Sequence, residues 1–299
     1  MQIEKKASKE ASIKINREHK DRLFRLIFGR EENKRNLLEL YNGLNNTQYQ
    51  NLEDLVITTL DDVIYMGMKN DVSLLIHSRM ALFEHQSTYN PNMPIRGMIY
   101  SAKLYSKFIE QYNLNIYGEK LVKLPTPQYV VFYNGPDNYK DEEILKLSDA
   151  FDTQDKPEGY EWTARMLNIN YGRNKELINR CKPLREYVIF SDKIRTYVSC
   201  GKSIEEAVNQ AVEECISENI MSDFFKSHRG EVLDVCITEY NEEKVMDAIR
   251  REYQEEGIEN ALRIVLEFGI DIDAAVEKTA QEYQVDSQKV WKIWEKMKK

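Results

Sequence analysis

Gln128-Tyr129-Val130-Val131-Phe132-Tyr133 is a nearly continuous apolar run. A strand with one wet face alternates in polarity. One that does not alternate is buried on both faces. The run therefore predicts the interior strand of a sheet with a layer on each side, which is an α/β arrangement.

The flanking sequence supplies the rest of such a sheet. Segments 55–60, 63–66, 72–76 and 81–86 are strand-like and rich in apolar and β-branched residues. They are consecutive and joined by short polar links, so they predict an antiparallel meander. A helix over 94–112, with Ile99, Ala102, Tyr105, Phe108 and Ile109 on one face, leads from the meander to the interior strand. Helices over 17–28 and 31–44 precede the meander, and strands over 144–147 and 164–169 follow the interior strand. From about residue 174 the pattern is helical, over 184–199, 203–219, 229–237, 241–256, 257–268, 272–283 and 286–297. Ser203 with Glu206 forms a capping-box pattern, and Asp286 with Lys289 a weaker one. The expected fold class is α/β, a central mixed β-sheet flanked by helices, with an all-α C-terminal region. The expected domains are an N-terminal extension over 1–16, an α/β domain over 17–200 and a helical domain over 201–299.

Charge follows the same division. The chain of 299 residues has a formal net charge of −8. Residues 201–299 hold 13 Lys/Arg against 23 Asp/Glu, while residues 1–200 hold 29 against 27. The acidity belongs to the helical third, so the total does not exclude a nucleic-acid partner for the α/β part. Aromatic residues at 10% are too many for a disordered chain. No apolar stretch approaches the ~18 residues of a membrane span, and the first residues, Met1-Gln2-Ile3-Glu4-Lys5-Lys6, have no apolar signal-peptide region. Cys181, Cys200, Cys215 and Cys236 are 19, 15 and 21 residues apart, neither a metal knuckle nor a disulfide framework, and are expected to be buried structural thiols. The expected location is cytoplasmic, with no membrane partner.

One constellation carries chemistry. If 72–76 and 81–86 form a hairpin turning at Ser78-Arg79, paired residue numbers sum to about 157. Asp71 then faces Gln86 and Ser73 faces Glu84. The strand period of two puts Asp71, Ser73, Glu84 and Gln86 on one face. Asp71 and Glu84 are diagonal neighbours whose carboxylates can converge on one hard cation such as Mg²⁺. His85 points its side chain the other way and leaves its carbonyl available. The plainer alternative is a solvent-facing polar row on a half-buried hairpin. Against it, glutamate and glutamine are poor strand formers, and the strand continues polar into Ser87-Thr88.

Asp71 followed by Glu84-His85-Gln86 resembles the PD-(D/E)XK nuclease superfamily, in the variant where glutamine replaces the usual lysine. The wider context is similar to the Rpn family of recombination-promoting nucleases and putative transposases. It rests on Asp21-Arg22-Leu23-Phe24-Arg25-Leu26-Ile27-Phe28-Gly29, Lys69-Asn70-Asp71-Val72-Ser73, Glu84-His85-Gln86-Ser87, Pro94-Ile95-Arg96 and Val130-Val131-Phe132-Tyr133-Asn134-Gly135, in that order. The resemblance covers about residues 17–240. It implies a restriction-endonuclease-like core and metal-dependent endonucleolytic cleavage of DNA, in a mobile-element or phage-defence setting. Asp71, Glu84 and the His85 carbonyl would hold Mg²⁺ or Mn²⁺, and Gln86 would orient the attacking water. Three further residues have two readings each. Lys69 is a supplementary cation or a solvated strand-edge lysine. Asp21 is an extra acidic group of the site or a helix-start acid. Arg96 contacts phosphate or makes an ordinary surface pair with Tyr100. A catalytically inactive nuclease-like module that binds DNA or protein is the alternative function. Besides DNA, the expected partners are a second copy of the chain and a protein bound through the C-terminal helices.

Overall fold

The structure is a computed structural model that describes residues 22–59, 71–136, 138–152, 159–267 and 271–297, the side chains of 239–250 and 266–267 excepted. The N-terminal extension, the expected strand over 63–66, Asp21 and Lys69 lie outside the described residues. The chain divides into two compact units, the first ending at Glu239 and the second beginning at Tyr240.

The first unit opens with helices α1 (Arg22–Phe28) and α2 (Lys34–Asn45). Strands β1 (Leu55–Ile57), β2 (Val72–Ile76) and β3 (Arg79–Gln86) follow and pair antiparallel, as the meander requires. Helix α3 (Met93–Gln111) then crosses over to β4 (Thr126–Tyr133), which lies parallel to β3. Strand β5 (Glu142–Lys146) is an edge strand, and β6 (Thr163–Asn168) inserts between it and β4, parallel to β4. The six-stranded sheet has the order β1-β2-β3-β4-β6-β5. Helices α4 (Lys175–Arg180), α5 (Lys182–Ser199) and α6 (Ile204–Ser217) come next.

Each face of the sheet has its own core, and the interior strand feeds both. Val130 and Phe132 of β4 pack with Phe24, Leu37, Leu184 and Val212 from the helices of one face. Tyr129, Val131 and Tyr133 pack with Tyr100 and Leu104 of α3 on the other. This two-sided burial is why the run of residues 128–133 shows no alternation. The first core also takes in Val208, Ala211, Val212 and Cys215 of α6, then Phe225, Val232 and Cys236 of the next helix. The switch from α/β to all-α sequence near 175–200 is thus a change of secondary structure inside one packed unit.

Helix α7 (Ser222–Glu267) departs from helical geometry at His228 (φ −121°, ψ 19°), and the unit boundary falls within it. Sequence periodicity had divided 229–268 into three helices, which the structure joins. In the second unit, Ile258 and Leu262 of α7 pack with Val276 and Ala280 of α8 (Ile272–Glu282). Val290, Ile293 and Trp294 of α9 (Ser287–Met297) complete that core.

Of the two capping patterns in the sequence, one forms in full. Ser203 accepts from the Glu206 N–H while Glu206 reaches back to the Ser203 N–H, a complete capping box. Asp286 accepts from the Gln288 N–H, whereas Lys289 turns to Gln254, so no capping box forms there. Cys181 and Cys200 sit at helix boundaries, and Cys200 is exposed, contrary to its expected burial. His228, which reads as a surface residue in the sequence, is half-buried at the helix break, with its Nδ1 at 3.1 Å from the Phe224 carbonyl.

Candidate functional site

The β2–β3 hairpin sets the site, and its register differs from the expected one. Ile76 pairs with Arg79 and Val72 with Phe83, so paired numbers sum to 155. The loop is the two residues His77-Ser78, with His77 in the left-handed region at φ 49°. Two-residue loops need positive φ to match strand twist, which places the turn one residue earlier than Ser78-Arg79. The shift is by an even number, so the face assignment survives. Asp71 comes level with Glu84, one step beyond the Val72–Phe83 pair, instead of diagonal to it.

The two carboxylates belong to the α3 face. Glu84 is fully buried and Asp71 is 6% exposed, which removes the reading of a solvent-facing polar row. Asp71 Oδ2 accepts the His85 backbone N–H at 2.7 Å. In an extended strand the N–H and C=O of one residue point to the same side. The His85 carbonyl therefore faces the Asp71 side of β3. The His85 ring points to the opposite face, stacked on Phe24, with its Nε2 at 2.8 Å from the Tyr187 hydroxyl. Gln86 ends β3 at 9% exposure, beside Tyr133. This is the carboxyl end of the parallel strands β3, β4 and β6, where open α/β sheets bind ligands.

Helix α3 closes over this end. Its buried residues are Met93, Pro94, Gly97, Tyr100, Ser101 and Leu104, while Ala102 is exposed. Of the expected face, Tyr105 and Phe108 pack against this core, whereas Ala102 is exposed and the buried stripe is centred on Gly97, Tyr100, Ser101 and Leu104. The covered stripe is partly polar because it lies on a polar part of the sheet, so apolar periodicity could not mark it. Gly97 is required by close approach, since a Cβ there would lie 2.4 Å from the Tyr129 ring.

Arg96 makes the expected pair with Tyr100, but in a part-buried setting that also takes in Glu84. Its Nη2 donates to Glu84 Oε2 at 3.1 Å and to the Tyr100 hydroxyl at 3.1 Å, and its Nε reaches the same hydroxyl at 3.3 Å. Burial works against the Arg96 charge, but Glu84 and the neighbouring tyrosines outweigh it and hold its pKa above the ordinary value. Burial and the Glu84 charge push the Tyr100 hydroxyl up to about 12, with Arg96 opposing. Burial raises Tyr129 well above the usual tyrosine value, and Glu84 adds to the shift. Tyr100 and Tyr129 are thus neutral hydroxyls at pH 7.

Sequence reasoning missed Tyr129 and Ser101. Tyr129 has the strand parity that faces α3, but the apolar run hides it. Gly97 was a usable signal, because an interior helix glycine costs about 1 kcal/mol and usually has a packing reason. Tyr129 Oη and Ser101 Oγ are buried without a hydrogen-bond partner among the described residues.

Among the described residues, no group of three or more His, Cys, Asp and Glu side chains gathers as a metal cage. The side-chain donors brought together here are two carboxylates. His85 Nε2 and His77 do not join them: His77 lies in the hairpin loop, its ring tilted against Tyr49. No family model, curated protein or solved structure matches the chain.

Proposed function

We propose that the protein is a divalent-metal-dependent DNA endonuclease built on a restriction-endonuclease-like core. The observation that carries the reading is that Asp71 and Glu84 are both buried at the carboxyl end of β3, with Asp71 accepting from the His85 backbone N–H next to Glu84. Element order supports it. A helix, an antiparallel meander, a crossover helix and a strand parallel to the last meander strand is the order that the sequence resemblance implies.

The residues fit a hard cation by donor chemistry. Asp71, Glu84 and the His85 carbonyl are all oxygen donors, the set that suits Mg²⁺ or Mn²⁺. Such an ion, when bound, polarises a phosphoryl oxygen and lowers the pKa of a coordinated water. Gln86 lies on the same strand face as Glu84, and its amide orients the attacking water by hydrogen bonds without supplying charge. Arg96 brings the positive charge that Gln86 lacks. Burial at this end of the sheet strengthens every one of these electrostatic contacts. The acidic helical third is assigned to contacts with protein, a second copy included, because net negative charge opposes phosphate.

One observation favours a second reading. The Glu84–Arg96 pair is closed, with Glu84 fully buried and Arg96 part-buried, as in a structural ion pair of a nuclease-like module that binds without cutting. Plasmid cleavage decides between them. With Mg²⁺ or Mn²⁺ the purified protein is expected to nick or linearise plasmid, and Asp71→Ala and Glu84→Ala are each expected to reduce this to background. Equal plasmid integrity with wild type and both variants, across metals and DNA forms, favours the non-cutting module.

A further inference from the structure

The Glu84–Arg96 pair has a consequence for metal loading. Glu84 Oε2 is occupied at 3.1 Å by a guanidinium that is itself anchored to Tyr100. A guanidinium and a divalent cation on one buried carboxylate repel strongly, because the low dielectric of the site screens them poorly. Glu84 is fully buried, so it cannot turn its carboxylate into water to accommodate both. Arg96 is different: its side chain is 26% exposed and it sits near the first turn of α3, so it has an outward path. A hydrogen-bonding group stands close by, since Tyr129 Oη, near enough to Glu84 and Arg96 to feel both charges, is buried without a partner among the described residues.

We infer that Arg96 is an internal counter-cation of this site, bound to Glu84 when no metal is held and released from it when a divalent ion is taken up. It is a positioning residue with two states. In one it holds the Glu84 carboxylate in place. In the other its freed fork turns outward, where a phosphate diester is the bidentate partner its geometry fits. Metal binding and substrate-phosphate binding are thereby coupled: DNA that captures Arg96 strengthens metal binding, and metal that displaces Arg96 strengthens DNA binding.

This inference rests on the metal-site reading of Asp71 and Glu84, and the test separates the two. Mn²⁺ binding to the full-length protein is measured by calorimetry, and by electron paramagnetic resonance of the free ion, in the absence of DNA. Arg96→Gln is expected to lower the thermal midpoint of the metal-free protein, yet to bind Mn²⁺ about tenfold more tightly than wild type, a typical coupling magnitude. Tyr100→Phe keeps the charge and the volume but removes the second anchor of Arg96. It is expected to tighten Mn²⁺ in the same direction by a smaller factor, and serves if Arg96→Gln does not fold. With Asp71→Ala as the background control, Mn²⁺ bound by wild type but no more tightly by either variant overturns the counter-cation and leaves the metal site standing. Mn²⁺ bound by none of these proteins overturns both. Mn²⁺ bound by the variants and not by wild type supports the counter-cation in its strongest form.

Discussion

Gly97 marks the point where helix and sheet come closest, and one methyl group tests it. Gly97→Ala gains about 1 kcal/mol of helix propensity. It also drives a Cβ to 2.4 Å from the ring of buried Tyr129, and overpacking of this kind costs about 1–3 kcal/mol. The net expectation is a loss of stability, read as a lower urea midpoint with an unchanged slope. A gain would mean that α3 can lift away from β4 without penalty. The cysteines give a second test at this scale. Burial pushes the Cys181 and Cys215 thiols up to about 12, while Cys200 is exposed. Ellman's reagent at pH 8 should modify Cys200 in the native protein and reach Cys181 and Cys215 only on unfolding. Rapid labelling of Cys181 in the native state would contradict its burial. The sequence showed which residues were chemically interesting, since Glu84 and Gln86 stand out in a strand that favours other residues and Asp71 stands just before the strand that pairs with it. It could not show that Glu84 meets Arg96, because that contact joins a strand to a helix across the fold.

At the scale of elements, the hairpin was legible in its faces and misread in its register. Period two fixes which side chains share a face, and any even shift preserves that. The turn fixes the shift, and His77 in the left-handed region was not apparent from composition. The α5–α6 pair supplies a pH test. Lys193 reaches both Glu214 and Glu218 at 2.9 Å, and Tyr197 donates to Glu214. The Tyr197 hydrogen bond first, then Lys193, hold the Glu214 carboxyl down to about 2. A depressed carboxyl contributes stability that is present above its ordinary pKa and lost as pH falls through the depressed one. Glu214→Gln should therefore cost about 0.5–1 kcal/mol at pH 7, as expected for partly exposed partners. That difference should shrink between pH 4.5 and 2. Urea titrations of both proteins across this range check it, and a constant difference would mean that the carboxylate charge plays no part.

At the scale of the whole molecule, the compact units predict where the chain can be cut. A fragment ending at Glu239 keeps the first core complete and should melt cooperatively near the full-length midpoint. A fragment ending at Cys200 loses Val208, Ala211, Val212, Cys215, Phe225 and Val232 from that core, and should be unfolded or aggregated. Circular dichroism and calorimetry of the two fragments decide this, and a cooperative transition in the shorter one would show that α6 and α7 are dispensable. The charge break near residue 200 does not coincide with the packing break at Glu239, because solvated charge lies on surfaces whereas unit boundaries follow buried contacts. By itself the sequence determined the α/β class, the interior strand, the order of elements from β2 to β6 and the shared face of Asp71, Glu84 and Gln86. All of these follow from local periodicity and burial, which every segment carries in its own residues. Only the tertiary structure decided the hairpin register, the polar stripe of α3 over the sheet, the closure of Arg96 on Glu84 and the extent of the first core. Each of these depends on which distant residues share a space, and hydrophobic periodicity holds no information about the partner across that space.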